Sequence, residues 1–153
     1  MKKVILGVFV VLLFGGCATM GPVADTSVVK IVEFDKAKDQ AFDLSMRWLA
    51  ETFKSAKSVI EYSDKAVGTI NGKGIVSVPG ELGIPVDVSF SLIVDVKDGK
   101  ARLTFKAISV SFQMSGPATE SALNPPIFES FKKRVDELSE SYRKYLSSTS
   151  TDW

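Results

Sequence analysis

An uninterrupted apolar stretch runs from Val4 to Phe14, relieved only by Gly7 and preceded by the basic Met1-Lys2-Lys3. A helix of that length rises roughly 16 Å, about half the hydrocarbon thickness of a bilayer, so it is too short to span one. Ser27 to Phe34 (SVVKIVEF) is β-branched and predicts a first strand. The period becomes helical from about Asp35 to Lys57. Ala41, Leu44 and Trp48 make one row, Phe42, Leu49 and Phe53 lie beside it, and charged residues stand opposite. Asp35 is the expected N-cap of that helix. Ser58 to Ser63 predicts a second strand turned back by Asp64-Lys65, and Val67 to Val78 a third. Its Gly68, Gly72 and Gly74 are read as marks of a bulge or tight bend.

The clearest alternation follows the loop at residues 79–85. Val86, Val88, Phe90, Leu92, Val94 and Val96 interleave with Asp87, Ser89, Ser91, Ile93 and Asp95, which predicts a half-buried fourth strand. Lys97-Asp98-Gly99-Lys100 carries Asp-Gly, the pair favoured in a type I′ hairpin turn. With that turn, residues whose numbers sum to 197 face each other, so Asp95 meets Arg102 and Ile93 meets Thr104. Ala101 to Phe112 is the fifth strand. Its apolar set shifts by one residue after Ala107, which predicts a bulge there or a stretch covered on both sides. After a long loop, Pro125-Pro126 leads into a last helix. On it Phe128, Phe131, Val135, Leu138, Tyr142 and Tyr145 recur at spacings of 3 and 4, and it ends near Leu146. The order β-α-β-β-β-β-α gives an α+β architecture: an antiparallel sheet of about five strands with two helices on one face and a polar second face left wet.

The N-terminus adds an address. Gly15-Gly16-Cys17 directly follows the apolar stretch, and Cys17 is the only cysteine. This arrangement resembles the bacterial lipoprotein signal, with Phe14 where that signal more often has Leu. The resemblance implies cleavage before Cys17, a diacylglyceryl group on its sulfur and a further amide-linked acyl chain. Two or more chains suffice for stable anchoring at about 0.8 kcal/mol per buried CH₂. The expected organisation is a signal peptide at 1–16, a lipidated Cys and tether at 17–27, one domain at 28–147 and a disordered tail at 148–153. Ala18 rather than Asp after the Cys implies an outer-membrane destination facing the periplasm, in a Gram-negative cell.

A second resemblance lies in Arg47-Trp48-Leu49-Ala50-Glu51-Thr52-Phe53-Lys54-Ser55-Ala56-Lys57, then Ile60-Glu61-Tyr62-Ser63-Asp64, Gly68-Thr69-Ile70, Gly72-Lys73-Gly74 and Val96-Lys97-Asp98-Gly99-Lys100-Ala101-Arg102-Leu103. The succession resembles a bacterial domain of unknown function with a TATA-box-binding-protein-like fold, over roughly residues 28–112. It implies a curved antiparallel sheet in the same element order. It carries no established activity.

Composition narrows the chemistry. The 153 residues hold no His and one Cys, which excludes imidazole-based catalysis, a closed Cys/His zinc site and an internal disulfide. No metal or cofactor is expected. Removing residues 1–16 takes Lys2 and Lys3 and leaves 17 Lys+Arg against 18 Asp+Glu, a net charge of −1. That balance, the Asp-Ser-Ser-Ile-Asp series of the wet face and the export signal argue against nucleic acid, although the namesake fold binds DNA. Gly72-x-Gly74 precedes no helix, so it is no phosphate cradle. Asp35, Asp64, Asp87 and Asp95 suit a cap, a turn and a solvated face. Trp48 reads as core rather than as a ligand platform. The expectation is a non-catalytic envelope lipoprotein with the membrane as one partner and an envelope protein or peptide as another. The alternative is an envelope hydrolase or transferase using carboxylate or Ser/Lys chemistry. The wet face reads first as a solvated surface with one salt bridge; the alternative is a shallow binding patch there, with Ile93 and Val110 as its candidate residues.

Overall fold

The structure, a computed structural model, describes residues 23–53, 59–112, 120–121 and 123–148. Cys17, the signal segment and the tail beyond Ser148 lie outside the described residues. The elements are β1 (Ser27–Glu33), α1 (Lys38–Thr52), β2 (Val59–Asp64), β3 (Thr69–Pro79), β4 (Pro85–Lys97), β5 (Lys100–Phe112), the two-residue β6 (Glu120–Ser121) and α2 (Pro125–Ser148). The sheet is antiparallel and open, in the order β1-β5-β4-β3-β2, with β6 pairing β5 beyond the end of β1. Short β6 is the addition to the expected order.

Both helices cover one face. Even-numbered residues of β3 and β4 and odd-numbered residues Ala101 to Ala107 of β5 point to it, and Val76, Val88, Phe90, Val94, Leu103 and Phe105 are buried there. Trp48 of α1 stacks edge-on against Tyr142 of α2 at 5.1 Å between ring centres, so it is core, as its spacing suggested. Burying each such side chain contributes roughly 1.5–3 kcal/mol. The hydroxyls buried between the helices are satisfied. Ser45 Oγ bonds the Ala41 carbonyl at 2.6 Å and the Tyr142 hydroxyl at 2.7 Å. Burial pushes the Tyr142 phenol up to about 12, while its bond to Ser45 pulls the other way.

α2 begins as its sequence requires: the Asn124 side chain accepts from Ile127 N–H at 3.0 Å, and prolines fill the first helical positions, where a missing N–H loses nothing. α1 differs from expectation. It starts at Lys38, not Asp35, and its first N–H is bound at 2.7 Å by Asp98, from the hairpin turn between β4 and β5. The turn itself is not type I′. Gly99 has φ +74, but Asp98 does not share the positive φ that type I′ demands. The turn is fastened instead to the β1–α1 link, by Phe34 N–H to Gly99 O and Gly99 N–H to Lys36 O, both 3.0 Å.

The glycines are also reassigned. β3 runs beside β4 without interruption from Thr69 to Pro79, so Gly74 marks no bulge. It lies opposite Phe90, and a Cβ there would stand 2.7 Å from the ring. The bulge at that end belongs to β2, between Ile60 and Tyr62. Gly68 precedes the strand, at φ +85, against the Val96 carbonyl.

Candidate functional site

The face of the sheet turned away from the helices is uncovered by any described element, and the strand registers assemble it residue by residue. Val29 of β1 pairs with Thr104 of β5, Thr104 with Ile93 of β4, Ile93 with Asn71 of β3, and Asn71 with Tyr62 of β2. One row therefore crosses all five long strands and alternates apolar or aromatic groups with small polar ones. Ile93 is 37% exposed and stands at its centre. Asn71 Oδ1 beside it is shielded from solvent and accepts no hydrogen bond among the described residues. Leaving a buried acceptor unmet costs about 1–3 kcal/mol, which a donor from a bound molecule would recover.

The neighbouring row toward the hairpin is charged. Asp95 meets Arg102, as the turn predicted, with Nη2 to Oδ2 at 2.7 Å, and Thr69 Oγ1 donates to its other oxygen at 2.9 Å. Ile31 of β1 lies beside Arg102. Beyond it, Glu33, Lys100 and Lys97 close an open hollow of about 340 Å³ shared with Ile31, Asp95 and Arg102. At the other end of the face, Lys73 pairs with Glu61 at 2.8 Å. At the β2–β3 turn, Asp64 accepts from Val67 N–H at 3.0 Å and from the Tyr62 hydroxyl at 3.2 Å. The Val67 N–H, chiefly, holds its carboxyl below the usual range; the same bond from Tyr62 raises the phenol.

Ile93 lies where the patch was expected, and Val110 does not. Val110 is fully buried in the core, opposite Val88. The reason is the bulge: Ser89 pairs with Ser109 and Phe90 with Ala107, so Ile108 is the extra residue and the inward phase resumes at Val110. The shift near Ala107 was legible, but which side of it returns to the core was not. Ile108, more than half exposed, is the residue the bulge leaves outside. Val29, Ile31, Tyr62 and Asn71 were not singled out from sequence. For Val29 and Ile31 the available signal was a β1 run with apolar residues at both odd and even positions; Tyr62 and Asn71, in β2 and β3, carried none.

Other chemistry-bearing residues, including Asp87 further along the same face, are structurally occupied. Asp87 accepts from Ser77 Oγ at 2.5 Å. Asp98 caps α1, and Asp35 does not. Among the described residues no three of His, Cys, Asp and Glu come together as a metal site, and no helix is long and apolar enough to cross a membrane.

An open antiparallel sheet of five long strands with two helices packed on one face is the TBP-like architecture. A profile described as a domain of unknown function (DUF4468) with TBP-like fold matches residues 29–111, and the chain belongs to that family. Two solved structures share the fold. A TBP-like protein from Parabacteroides distasonis superposes with a TM-score of 0.67 at 12% identity, over 80% of this chain and 92% of that one. A DUF4468 family protein from Bacteroides ovatus gives 0.58 at 15% identity, over 84% and 88%. No curated protein matches the sequence.

Proposed function

We propose that this chain is a lipid-anchored protein of the bacterial envelope, diacylated at Cys17, whose uncovered sheet face binds a protein or peptide partner without catalysing a reaction. The observation that carries the reading is the row Val29–Thr104–Ile93–Asn71–Tyr62. It combines exposed apolar groups with a stranded acceptor, the pattern that suits an extended segment bearing both apolar side chains and N–H donors. The anchoring part rests on the Lys2-Lys3 basic start, the short apolar run and Gly15-Gly16-Cys17. Ala18 favours the outer membrane, facing the periplasm. A non-catalytic role is supported by the way the carboxylate of the open face nearest Ile93 is used: Asp95 is tied up structurally by Arg102 and Thr69.

The test places Ile93→Lys and Ile108→Lys together in the full chain and compares crosslinked partners in the native envelope with those of the unaltered chain. Selective loss of one partner, with membrane attachment retained, is the expected result. An unchanged set of partners would refute binding at this face. In parallel, Cys17→Ser leaves an unprocessed chain that a carbonate wash releases from membranes. Retention after the wash would refute the lipid anchor.

A further inference from the structure

The two edges of the sheet are built differently. β2 is short and broken by its bulge, a device that discourages further strand pairing. β1 has neither bulge nor proline, and its seven residues keep unbroken register with Lys106 to Lys100 of β5. The hydrogen bonds that flank it, Ala107 N–H to Thr26 O at 3.1 Å and Phe34 N–H to Gly99 O at 3.0 Å, show that even-numbered residues bond toward β5. The N–H and C=O groups of Val29, Ile31 and Glu33 therefore point outward along the edge. Val29 and Ile31 are 53% and 68% exposed. The strand's lone cation, Lys30, is drawn down to Asp136 of α2 at 2.5 Å and does not guard the edge. A hollow of about 660 Å³ between β1 and α2, lined by Ile31, Val32, Glu33, Asp136, Glu140 and Arg143 among others, leaves room on the helix side.

We propose that this edge pairs with β1 of a second copy, antiparallel, with Lys30 opposite Lys30. The strand is complementary to itself in that register and in no neighbouring one. Val29 faces Ile31 of the second copy and Ile31 faces its Val29, which gathers four exposed apolar side chains on the open face. Ser27 faces Glu33 of the second copy, a hydroxyl beside a carboxylate. On the helix side the two lysines meet with two Asp136 carboxylates beneath them, so the charges balance. Shifting by two residues one way sets Ile31 against itself but Val29 against Glu33; shifting the other way sets Ile31 against Ser27 and Glu33 against Asp25. Outward groups of Val29 and Ile31 then form the main-chain bonds of the new ladder, as in other strand additions. The two Ser27 positions lie six residue steps apart, roughly 20 Å, and a tether of ten residues reaches about 33 Å. Pairing is thus compatible with the anchoring proposed above, but does not depend on it.

Lys30→Cys in the full chain tests the register, because residue 30 meets its own copy at a closely spaced, non-hydrogen-bonded pair, suited to a disulfide. Mild oxidation of cell membranes should give at least ten-fold more disulfide-linked dimer than the unaltered chain, whose Cys17 is the control. Ile31→Cys should give no such increase. The unaltered chain in mild detergent should sediment as a dimer, and Val29→Pro as a monomer. That proline removes an N–H that β5 does not use, so retained far-ultraviolet circular dichroism would confirm that the fold is kept. A monomeric unaltered chain, or a dimer that survives Val29→Pro, would overturn the interface. Efficient crosslinking through Ile31→Cys instead of Lys30→Cys would overturn the register.

Discussion

Replacing Gly74 by Ala adds one methyl group on the core face, directly against the ring of Phe90. The Cβ would stand 2.7 Å from Cζ and 3.1 Å from Cε1 of Phe90. Ordinary carbon contacts begin near 3.5 Å, so the ring would have to retreat by about 1 Å. It has nowhere to go, because Phe53, Phe105 and Phe131 hold it with ring centres at 5.8, 5.7 and 5.9 Å. Overpacking of this kind costs about 1–3 kcal/mol. Gly74 does not occupy the positive-φ region, so alanine also restricts the unfolded chain and returns about 0.4–1 kcal/mol. The net expectation is a loss of about 1–2 kcal/mol. Urea denaturation of the purified chain, followed by fluorescence of buried Trp48, measures it as a lower midpoint at unchanged slope. The decisive comparison repeats the substitution on a Phe90→Leu background, where the shorter side chain vacates the contested space. There Gly74→Ala should cost nothing or stabilise. An equal cost on both backgrounds would show that the Phe90 ring is not what demands glycine, and would refute the reasoning.

Two further outcomes follow from the same packing. Asp98→Ala removes the carboxylate that caps α1 and should cost about 0.5–2 kcal/mol, while Asp35→Ala should stay within about 0.5 kcal/mol; a reversed order in denaturation midpoints would show the cap is misassigned. Tyr142, raised from 10.0 to about 12 by burial, binds its proton more tightly when folded. Its contribution is therefore full below pH 10 and is lost as the pH climbs toward 12, so the unaltered chain should lose stability across that window and Tyr142→Phe should lose less. Identical alkaline profiles for the two would count against it.

Much of the fold is written locally. The alternation Val86 to Val96 sets which face of β4 is inward, because side chains on a strand point to opposite sides by turns. A two-residue Asp98-Gly99 connection then leaves one register for β4 and β5, which is why the Asp95–Arg102 pair could be placed from sequence. The 3-4 spacing of α2 names the middle of its buried stripe, Phe131 to Tyr142, for a similar reason, whereas at the ends Ile127 and Leu146 are buried and Phe128 and Tyr145 only partly so. What escaped was whatever depends on partners distant in the chain. Asp98 caps a helix that begins sixty residues earlier, and nothing near Lys38 announces it. Gly74 serves the ring of Phe90 and not its own strand. Val110 falls into the core because the bulge at Ile108 takes up the extra residue on one side of the ladder, a choice made by packing against Val88. The open row exists only after β1 docks on β5 and β2 on β3, when Val29, Ile93, Asn71 and Tyr62 become neighbours. Strand pairing between remote segments, governed by burial and not by local pattern, assembled the face where function is proposed.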